Sequence, residues 1–233
     1  MKEQRWQEIL RMITKRRQDR GGTFAEALCG EALTIASVDD VTLTVTVGGS
    51  FTVVAATSRR AIMLDEEQFT LGEGPTFENS RGDLPVLAPH LGSGFHPNWP
   101  TFYAFARSHD IHACFCFPVR IGDARIGVLT LYRELGGSVS ATQYADALIL
   151  ASLTADELIN ASIHAANDAT SPLALAGLSN VSEIHQAAGM IAEQFNCSLV
   201  DALVRLRAAA YAHGEPISLI AKHVLQRELH LER

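Results

Sequence analysis

Two pairs of strand-like segments constrain the fold of this chain more than any other feature. The first pair, TLTVTV and FTVVAAT, lies between about Thr42 and Thr57 around the turn sequence GGS. The second pair, HACFCFPVRI and IGVLTLYR, is separated by a turn that contains Gly122 and Asp123. Alternating apolar and β-branched residues on either side of a short glycine-containing turn are typical of antiparallel hairpins. The second pair is apolar on both faces, which predicts a position at the centre of a sheet.

Helical patterns surround these hairpins. In the first twenty residues Trp6, Ile9, Leu10 and Ile13 recur at helical spacing in a locally basic segment. This spacing predicts an amphipathic helix that packs on a partner helix, while a contact with nucleic acid or a membrane remains the alternative. Further along, the sequence predicts helices at Arg59–Gln68, Asn98–Ser108 and Ser140–Ala166, and a short strand at Pro85–Ala88.

The composition changes after about residue 170. Residues 171–180 belong to a stretch rich in Asn, Ser, Pro and Gly, which is typical of a linker. Beyond it only helices are predicted, and a three-helix unit of this size has a marginal core, so we expect support from the preceding long helix or from a second copy in a homodimer. The predicted helices are Val181–Phe195, Leu199–His213 and Leu219–Leu229.

Gly189 interrupts the first of these C-terminal helices. Glycine inside a helix costs about 1 kcal/mol relative to alanine, so its presence calls for a reason. The apolar residues Ile184, Ala188 and Ile191 form the predicted buried stripe, and Gly189 lies on a neighbouring face with Gln186. Two interpretations remain open, which are close packing of another helix and close approach of a ligand or a nucleic-acid base.

The second C-terminal helix carries an arginine and an aromatic residue four positions apart. Arg207 and Tyr211 are predicted to share an outer face, while Arg205 lies elsewhere on the helix. A guanidinium beside an aromatic ring can hold a phosphate and stack a base, as in the recognition of single-stranded RNA loops. An ordinary solvated face explains this pair of residues equally well.

The C-terminal segment resembles the ANTAR domain, a three-helix RNA-binding module of bacterial antitermination regulators. One difference is Ala188, where many members of that family have lysine. The resemblance implies that dimers bind paired hairpin loops in nascent RNA. Because Ala188 lacks the charge of lysine, we expect the phosphate contact to shift to Arg207 and Arg205. The RNA-binding residues that the resemblance and the helix faces imply are Gln186, Ala187, Gly189, Met190, Arg205, Arg207 and Tyr211. The matching pattern comprises Ile184, Gln186, Ala187, Gly189, Met190 and Glu193, then Ala202, Leu206, Arg207 and Ala210, then Leu219, Ala221 and Val224.

The preceding part of the chain resembles the GAF domain. The resemblance rests on LGEGP before a turn-rich stretch, on FPVRIGDARIGVLTLYR and on the closing helix. It implies an α+β protein with an antiparallel sheet flanked by helices, followed by the three-helix bundle, and a small-molecule ligand or an upstream protein as the signal. The predicted divisions are 1–20 for the N-terminal helix, 21–170 for the GAF domain, 171–180 for the linker and 181–233 for the ANTAR domain. The candidate pocket residues are Phe77, Phe95, Trp99, Phe102, Phe115 and Phe117.

Composition narrows the function further. The net charge of −7 argues against sequence-blind nucleic-acid binding, and no apolar run is long enough for a membrane span, so we expect a cytoplasmic protein. Cys114 and Cys116 match no zinc-binding spacing, and the sequence contains no recognisable catalytic motif, so neither a metal site nor an enzyme is predicted. The leading hypothesis is a signal-responsive antitermination regulator. The alternative is a sensor whose C-terminal domain binds a partner protein, and an enzyme dependent on Cys114 or Cys116 is a third possibility.

Overall fold

A five-stranded antiparallel sheet organises the N-terminal part of the protein. The computed structural model describes residues 2–47, 50–91, 98–165 and 172–229. The strands occur in the order β2-β1-β5-β4-β3, so the two hairpins lie side by side and β5 is central. Both predicted hairpins and the short third strand are confirmed. The strands are β1 (Asp40–Val47), β2 (Ser50–Ala56), β3 (Val86–Ala88), β4 (Ala113–Ile121) and β5 (Ala124–Arg133).

Helices cover both faces of this sheet, which explains why β4 and β5 are apolar throughout. One layer, which packs against Phe115 and Phe117, consists of α1 (Lys2–Arg20), α2 (Phe24–Ala36) and α6 (Ala141–Ala165). The opposite layer consists of α3 (Arg59–Leu71), α4 (Pro75–Asn79) and α5 (Pro100–Ser108). We call the elements from α1 to α6 the N-terminal unit. Among the described residues, no helix combines the length and apolarity that crossing a membrane requires.

Helix α2 was not predicted from the sequence, although its first turn carries a clear signal. The Thr23 hydroxyl accepts a hydrogen bond from the Glu26 amide at 3.1 Å, and the Glu26 carboxylate accepts one from the Thr23 amide at 2.8 Å. This reciprocal capping box stabilises the start of a helix. Most of α2 is buried on several sides, so it lacks the polar face that makes an amphipathic helix recognisable in a sequence.

The C-terminal bundle consists of α7 (Pro172–Phe195), α8 (Leu199–His213) and α9 (Ile217–Leu225). Helix α8 has the predicted bounds, with its N-cap at Ser198 and its left-handed C-cap at Gly214. Helix α9 begins at Ile217 rather than at the predicted Leu219. Helix α7 begins at Pro172, so residues 172–180, which were predicted as linker, are helical. Proline fits the first turn of a helix because its missing amide proton has no intrahelical acceptor there.

The bundle packs against the N-terminal unit, and this contact completes its small core. Phe69 of α3 is buried in the same apolar cluster as Ile184, Ala188 and Leu206 of the bundle. Phe51 and Phe77 of the N-terminal unit also pack against this cluster. We call this contact the closed arrangement. Support for the small bundle therefore comes from α3 and β2 in addition to the preceding long helix α6, which contacts α7. Support from a second copy stays a prediction.

Candidate functional site

The surface of α7 around Gly189 is open. A Cβ atom built on Gly189 would meet no heavy atom within 4 Å, and the residue is exposed. Gln186 is exposed beside it, and the Met190 side chain is 38% exposed. Ala187, by contrast, is fully buried in the bundle core, so its side chain is not available at this surface. Close packing of another helix was one of the two interpretations of this glycine. Among the described residues, no helix fills the space beside Gly189.

Arg205 lies at the surface of α8 and contacts the end of α7. Its guanidinium carbon is 4.5 Å from the centroid of the Phe195 ring. A cation over an aromatic face is attracted by the ring quadrupole, which limits the directions in which the guanidinium points. Arg205 is exposed, so it can contact an anion while it remains stacked on Phe195.

The prediction that Arg207 lies on an outer face of α8 is wrong. Its guanidinium carbon is 4.9 Å from the ring centroid of Phe69 and 5.5 Å from that of Phe77. Burial lowers the pKa of this guanidinium, and the nearby Arg81 cation lowers it further. The Arg207 Nε atom is buried and has no hydrogen-bond acceptor among the described residues. Tyr211, by contrast, is exposed, although it borders a cavity that Arg207 also lines. The arginine and the tyrosine of the predicted pair therefore differ in burial.

Two cavities lie on either side of this arginine. One has a volume of about 480 Å³ and is bordered by Gly72, Glu73 and Tyr211. The other, of about 350 Å³, is bordered by Phe51, Arg125 and Val200. Phe77, Arg81 and Arg207 line both cavities. This site was not predicted from the sequence, because its residues come from β1, β2, β5, α3, α4, α5 and α8 and no local pattern links them.

The six aromatic residues proposed as a sensor pocket do not line one cavity. Phe115 and Phe117 are buried on the sheet face that contacts α1, α2 and α6. Trp99 and Phe102 are buried in the core on the opposite face, and Phe77 packs toward the C-terminal bundle. The remaining residue of the set, Phe95, lies outside the described residues. The alternation along β4 correctly places Phe115 and Cys116 on opposite faces of the sheet. The proposed pocket combined Phe115 and Phe117 with residues that cover the other face, and so it is wrong.

A polar cluster lies between the sheet and α3. One oxygen of the Asp65 carboxylate accepts hydrogen bonds from the hydroxyls of Thr42 at 2.7 Å and Thr44 at 2.6 Å. The other oxygen accepts hydrogen bonds from the Tyr132 hydroxyl and, at 3.1 Å, from the Thr76 hydroxyl. All five residues are buried. Hydrogen bonds to a carboxylate lower its pKa, but desolvation is the larger effect at Asp65 and raises its pKa above the ordinary value.

Gln68 joins this cluster to α4. Its Nε2 donates to the Tyr132 hydroxyl at 2.7 Å and its Oε1 accepts from the Thr76 amide at 2.7 Å. Burial, and then the Asp65 charge, raise the pKa of Tyr132 well above its ordinary value, so this phenol stays protonated. The network was missed from the sequence. The only signal was the pair of inward-facing threonines on β1, and nothing local indicated that Asp65 would meet them.

Cys114 and Cys116 lie on the same face of β4, as the alternation predicts. Their sulfur atoms are 3.6 Å apart and fully buried. Burial raises the pKa of Cys114 well above its ordinary value, and the neighbouring Cys116 adds to this effect. Only the thiolate is a good nucleophile or metal ligand, so the Cys114 thiol is poorly suited to either role. In the part of the chain that the structure describes, no group of three His, Cys, Asp or Glu residues is arranged to hold a metal ion.

Comparison with solved structures identifies the fold of the N-terminal unit. The GAF domain of a phosphoenolpyruvate-protein phosphotransferase from Coxiella burnetii aligns with 69% of this chain over 98% of its own length, with 16% identity and a TM-score of 0.51. The corresponding GAF domain from Acinetobacter aligns with 72% of this chain over 98% of its own length, with 12% identity and a TM-score of 0.52. No protein-family model matches the sequence, and no curated protein matches it either. The N-terminal unit therefore has the GAF fold, as predicted.

Proposed function

We propose that this protein is a cytoplasmic regulator in which the GAF-fold unit controls RNA binding by the C-terminal bundle, and that it acts in transcription antitermination. The single observation that carries the proposal is the open surface at Gly189. Ala is the better helix former, so a glycine with free space around it costs stability without any packing reason. Close approach of an RNA base or backbone to α7 would explain why glycine is present there in spite of this loss of stability.

The residues around this opening suit unpaired nucleotides. Gln186, which is exposed but already has a contact within the protein, carries both a donor and an acceptor that suit base edges, and Met190 offers an exposed apolar surface. Arg205, which is stacked on Phe195 at the end of α7, adds a cation that can contact phosphate. A contact of this size is weak by itself. A dimer that binds two hairpins with two such surfaces gains affinity because the second contact is intramolecular.

The closed arrangement supplies a means of control. Arg207 is packed against Phe69 and Phe77, so it is not available to RNA in this arrangement. Separation of the bundle from the N-terminal unit would expose this arginine. A signal received by the GAF-fold unit, from a small molecule or an upstream protein, would then change RNA affinity by shifting the population of the closed arrangement.

A groove on the N-terminal unit supports the proposed homodimer. It lies between α1 and α6, has a volume of about 410 Å³, and is lined by Trp6, Leu148 and Ile149. The apolar Leu148 side chain is 42% exposed in this groove. Pairing of two copies through this groove would bury that side chain and place two C-terminal bundles in one assembly.

One observation favours the alternative function, in which the bundle binds a partner protein. On α8 the side chains of Val200 and Val204 are 70% and 55% exposed, and they lie one helical turn apart. An exposed apolar strip on a helix suits a protein surface better than it suits RNA. The negative charge of the chain points the same way.

Gel-shift titration with a two-hairpin RNA separates these functions. We expect wild-type protein to bind and Arg205→Ala to weaken binding about tenfold, or about 1.4 kcal/mol. The slope of log K against log salt concentration should fall by roughly 0.7, the contribution of one single-stranded phosphate contact. Arg107→Ala is the matched control, because Arg107 is exposed on α5, outside the bundle. Crosslinking in the native cell followed by sequencing identifies the RNA, and recovery of no RNA would favour the partner-protein function.

A further inference from the structure

The 350 Å³ cavity between the two units is unusually cationic for an acidic protein. Arg81, Arg125 and Arg207 all line it, and none of the described residues that line it is acidic. The whole chain, by contrast, has 26 Asp and Glu against 19 Lys and Arg, a net charge of −7. Three arginines around one cavity repel one another unless an anion lies between them.

The pairing of these arginines shows which of them are available. Arg125 donates a hydrogen bond to the Arg81 carbonyl oxygen at 2.6 Å and lies 3.5 Å from an Asp83 carboxylate oxygen. Within the described residues, however, neither Arg81 nor Arg207 forms an ion pair. The Arg207 Nε atom is buried with no acceptor, which is costly for a charged group. An anion bound to the terminal guanidinium N–H groups would offset that cost by pairing with the charge.

Aromatic rings form part of the same cavity. The guanidinium carbons of Arg81 and Arg207 lie 5.4 and 5.5 Å from the centroid of the Phe77 ring. Phe51 is stacked with Phe77, with ring centroids 6.0 Å apart, and also lines the cavity. Cations beside aromatic surface are the combination that binds a phosphate joined to a planar group. The volume of about 350 Å³ is within the range of small-molecule sites.

We infer that this cavity binds a phosphate-bearing small molecule of about mononucleotide size. Its phosphate lies between Arg81 and Arg207 and accepts hydrogen bonds from the terminal N–H groups of both guanidiniums, while its planar part contacts Phe77. Arg81 follows α4 in the N-terminal unit, whereas Arg207 belongs to α8 of the bundle. The ligand therefore bridges the two units and stabilises the closed arrangement. The consequence for RNA, which rests on the proposed function, is that the ligand lowers RNA affinity.

Isothermal titration calorimetry of the full chain with AMP, GMP and pyrophosphate tests this inference. We expect at least one of these probes to bind the wild-type protein at millimolar concentration or below. Arg81→Gln and Arg207→Gln should each weaken that binding about tenfold or more. Arg107→Gln, an exposed arginine of α5 outside the cavity, should bind as the wild type does. Because Arg81 is exposed, Arg81→Gln tests the site even if the Arg207 variant folds poorly.

Several results would overturn the inference. One is that none of the three probes binds the wild type. Another is that Arg81→Gln binds as tightly as the wild type does. A third is that Arg107→Gln weakens binding as much as the cavity variants do. A hairpin RNA that binds while none of the small molecules does would overturn it too, but would leave the proposed function intact. Conversely, mononucleotide binding without RNA binding would support this site and count against the proposed function.

Discussion

The Arg207 guanidinium carbon lies 4.9 Å from the centroid of the Phe69 ring, so a cation of the C-terminal bundle packs on an aromatic ring of the GAF-fold unit. Phe69 is also 4.6 Å from Phe51, measured between ring centroids. These three side chains connect α8, α3 and β2. Any signal that moves α3 relative to β2 therefore acts directly on the environment of Arg207.

Phe69→Ala should weaken the closed arrangement. Phe69 is nearly fully buried, and removal of a buried phenylalanine ring costs about 3 to 5 kcal/mol in a core. Hydrogen–deuterium exchange followed by mass spectrometry should show faster exchange in α8 while β4 and β5 stay protected. Phe105→Ala, on α5 beside His109, is the control and should leave exchange in α8 unchanged. Unchanged exchange in the Phe69 variant would mean that this contact does not hold the bundle.

Tyr132→Phe should destabilise the N-terminal unit by about 1 to 3 kcal/mol. The substitution leaves the buried Asp65 carboxylate and the Gln68 amide without one hydrogen-bond partner. Urea unfolding measures the change. Tyr144→Phe is the matched control, because Tyr144 is half-buried and contacts Phe117 through its ring. A Tyr132 variant as stable as the control would show that the network contributes little.

Asp65 should make stability depend on pH. Its pKa is raised in the folded protein, so the folded state binds more protons than the unfolded state above the ordinary pKa of about 3.9. The contribution of this group is therefore largest below that pH and declines as pH rises through the folded pKa. The unfolding free energy of the wild type minus that of Asp65→Asn should therefore decline as pH rises from the ordinary pKa of Asp65 through its folded pKa. A difference that rises with pH would mean that hydrogen bonds outweigh desolvation at this carboxylate.

Leu148→Glu should convert a dimer into a monomer if two copies pair through the groove between α1 and α6. A charge placed at an apolar interface must be desolvated, which opposes association. Size-exclusion chromatography with light scattering measures the mass of wild type and variant. Leu84→Glu is the control, because Leu84 is exposed and lies in the loop before β3. A wild-type monomer at micromolar concentration would argue against the proposed dimer.

Local patterns in the sequence were sufficient for much of the fold. The alternation in β1, β2, β4 and β5 predicted both hairpins, and the helix predicted at Leu199–His213 has the observed bounds of α8. Such signals depend on neighbours in the chain. Helix α2 escaped prediction because burial on several sides removes the contrast between polar and apolar faces.

The sites that depend on distant contacts could not be predicted. The helical spacing correctly kept Gly189 out of the buried stripe, but the same reasoning placed Arg207 on a solvated face. A helix surface that looks exposed in the sequence is exposed only if no other unit covers it. Asp65 is a similar case, since its partners on β1 and β5 are separated from it by up to 67 positions.

Gly189→Leu and Gly189→Ala, compared in the same gel-shift and unfolding experiments, test the central claim most directly. Because nothing lies within 4 Å of a Cβ atom at this position, Gly189→Ala should stabilise the protein by roughly 0.5 to 1 kcal/mol. If the glycine is kept so that RNA can approach α7, the leucine side chain should lower affinity for the two-hairpin RNA at least about tenfold while the bundle stays folded. Wild-type affinity in the leucine variant would contradict the claim.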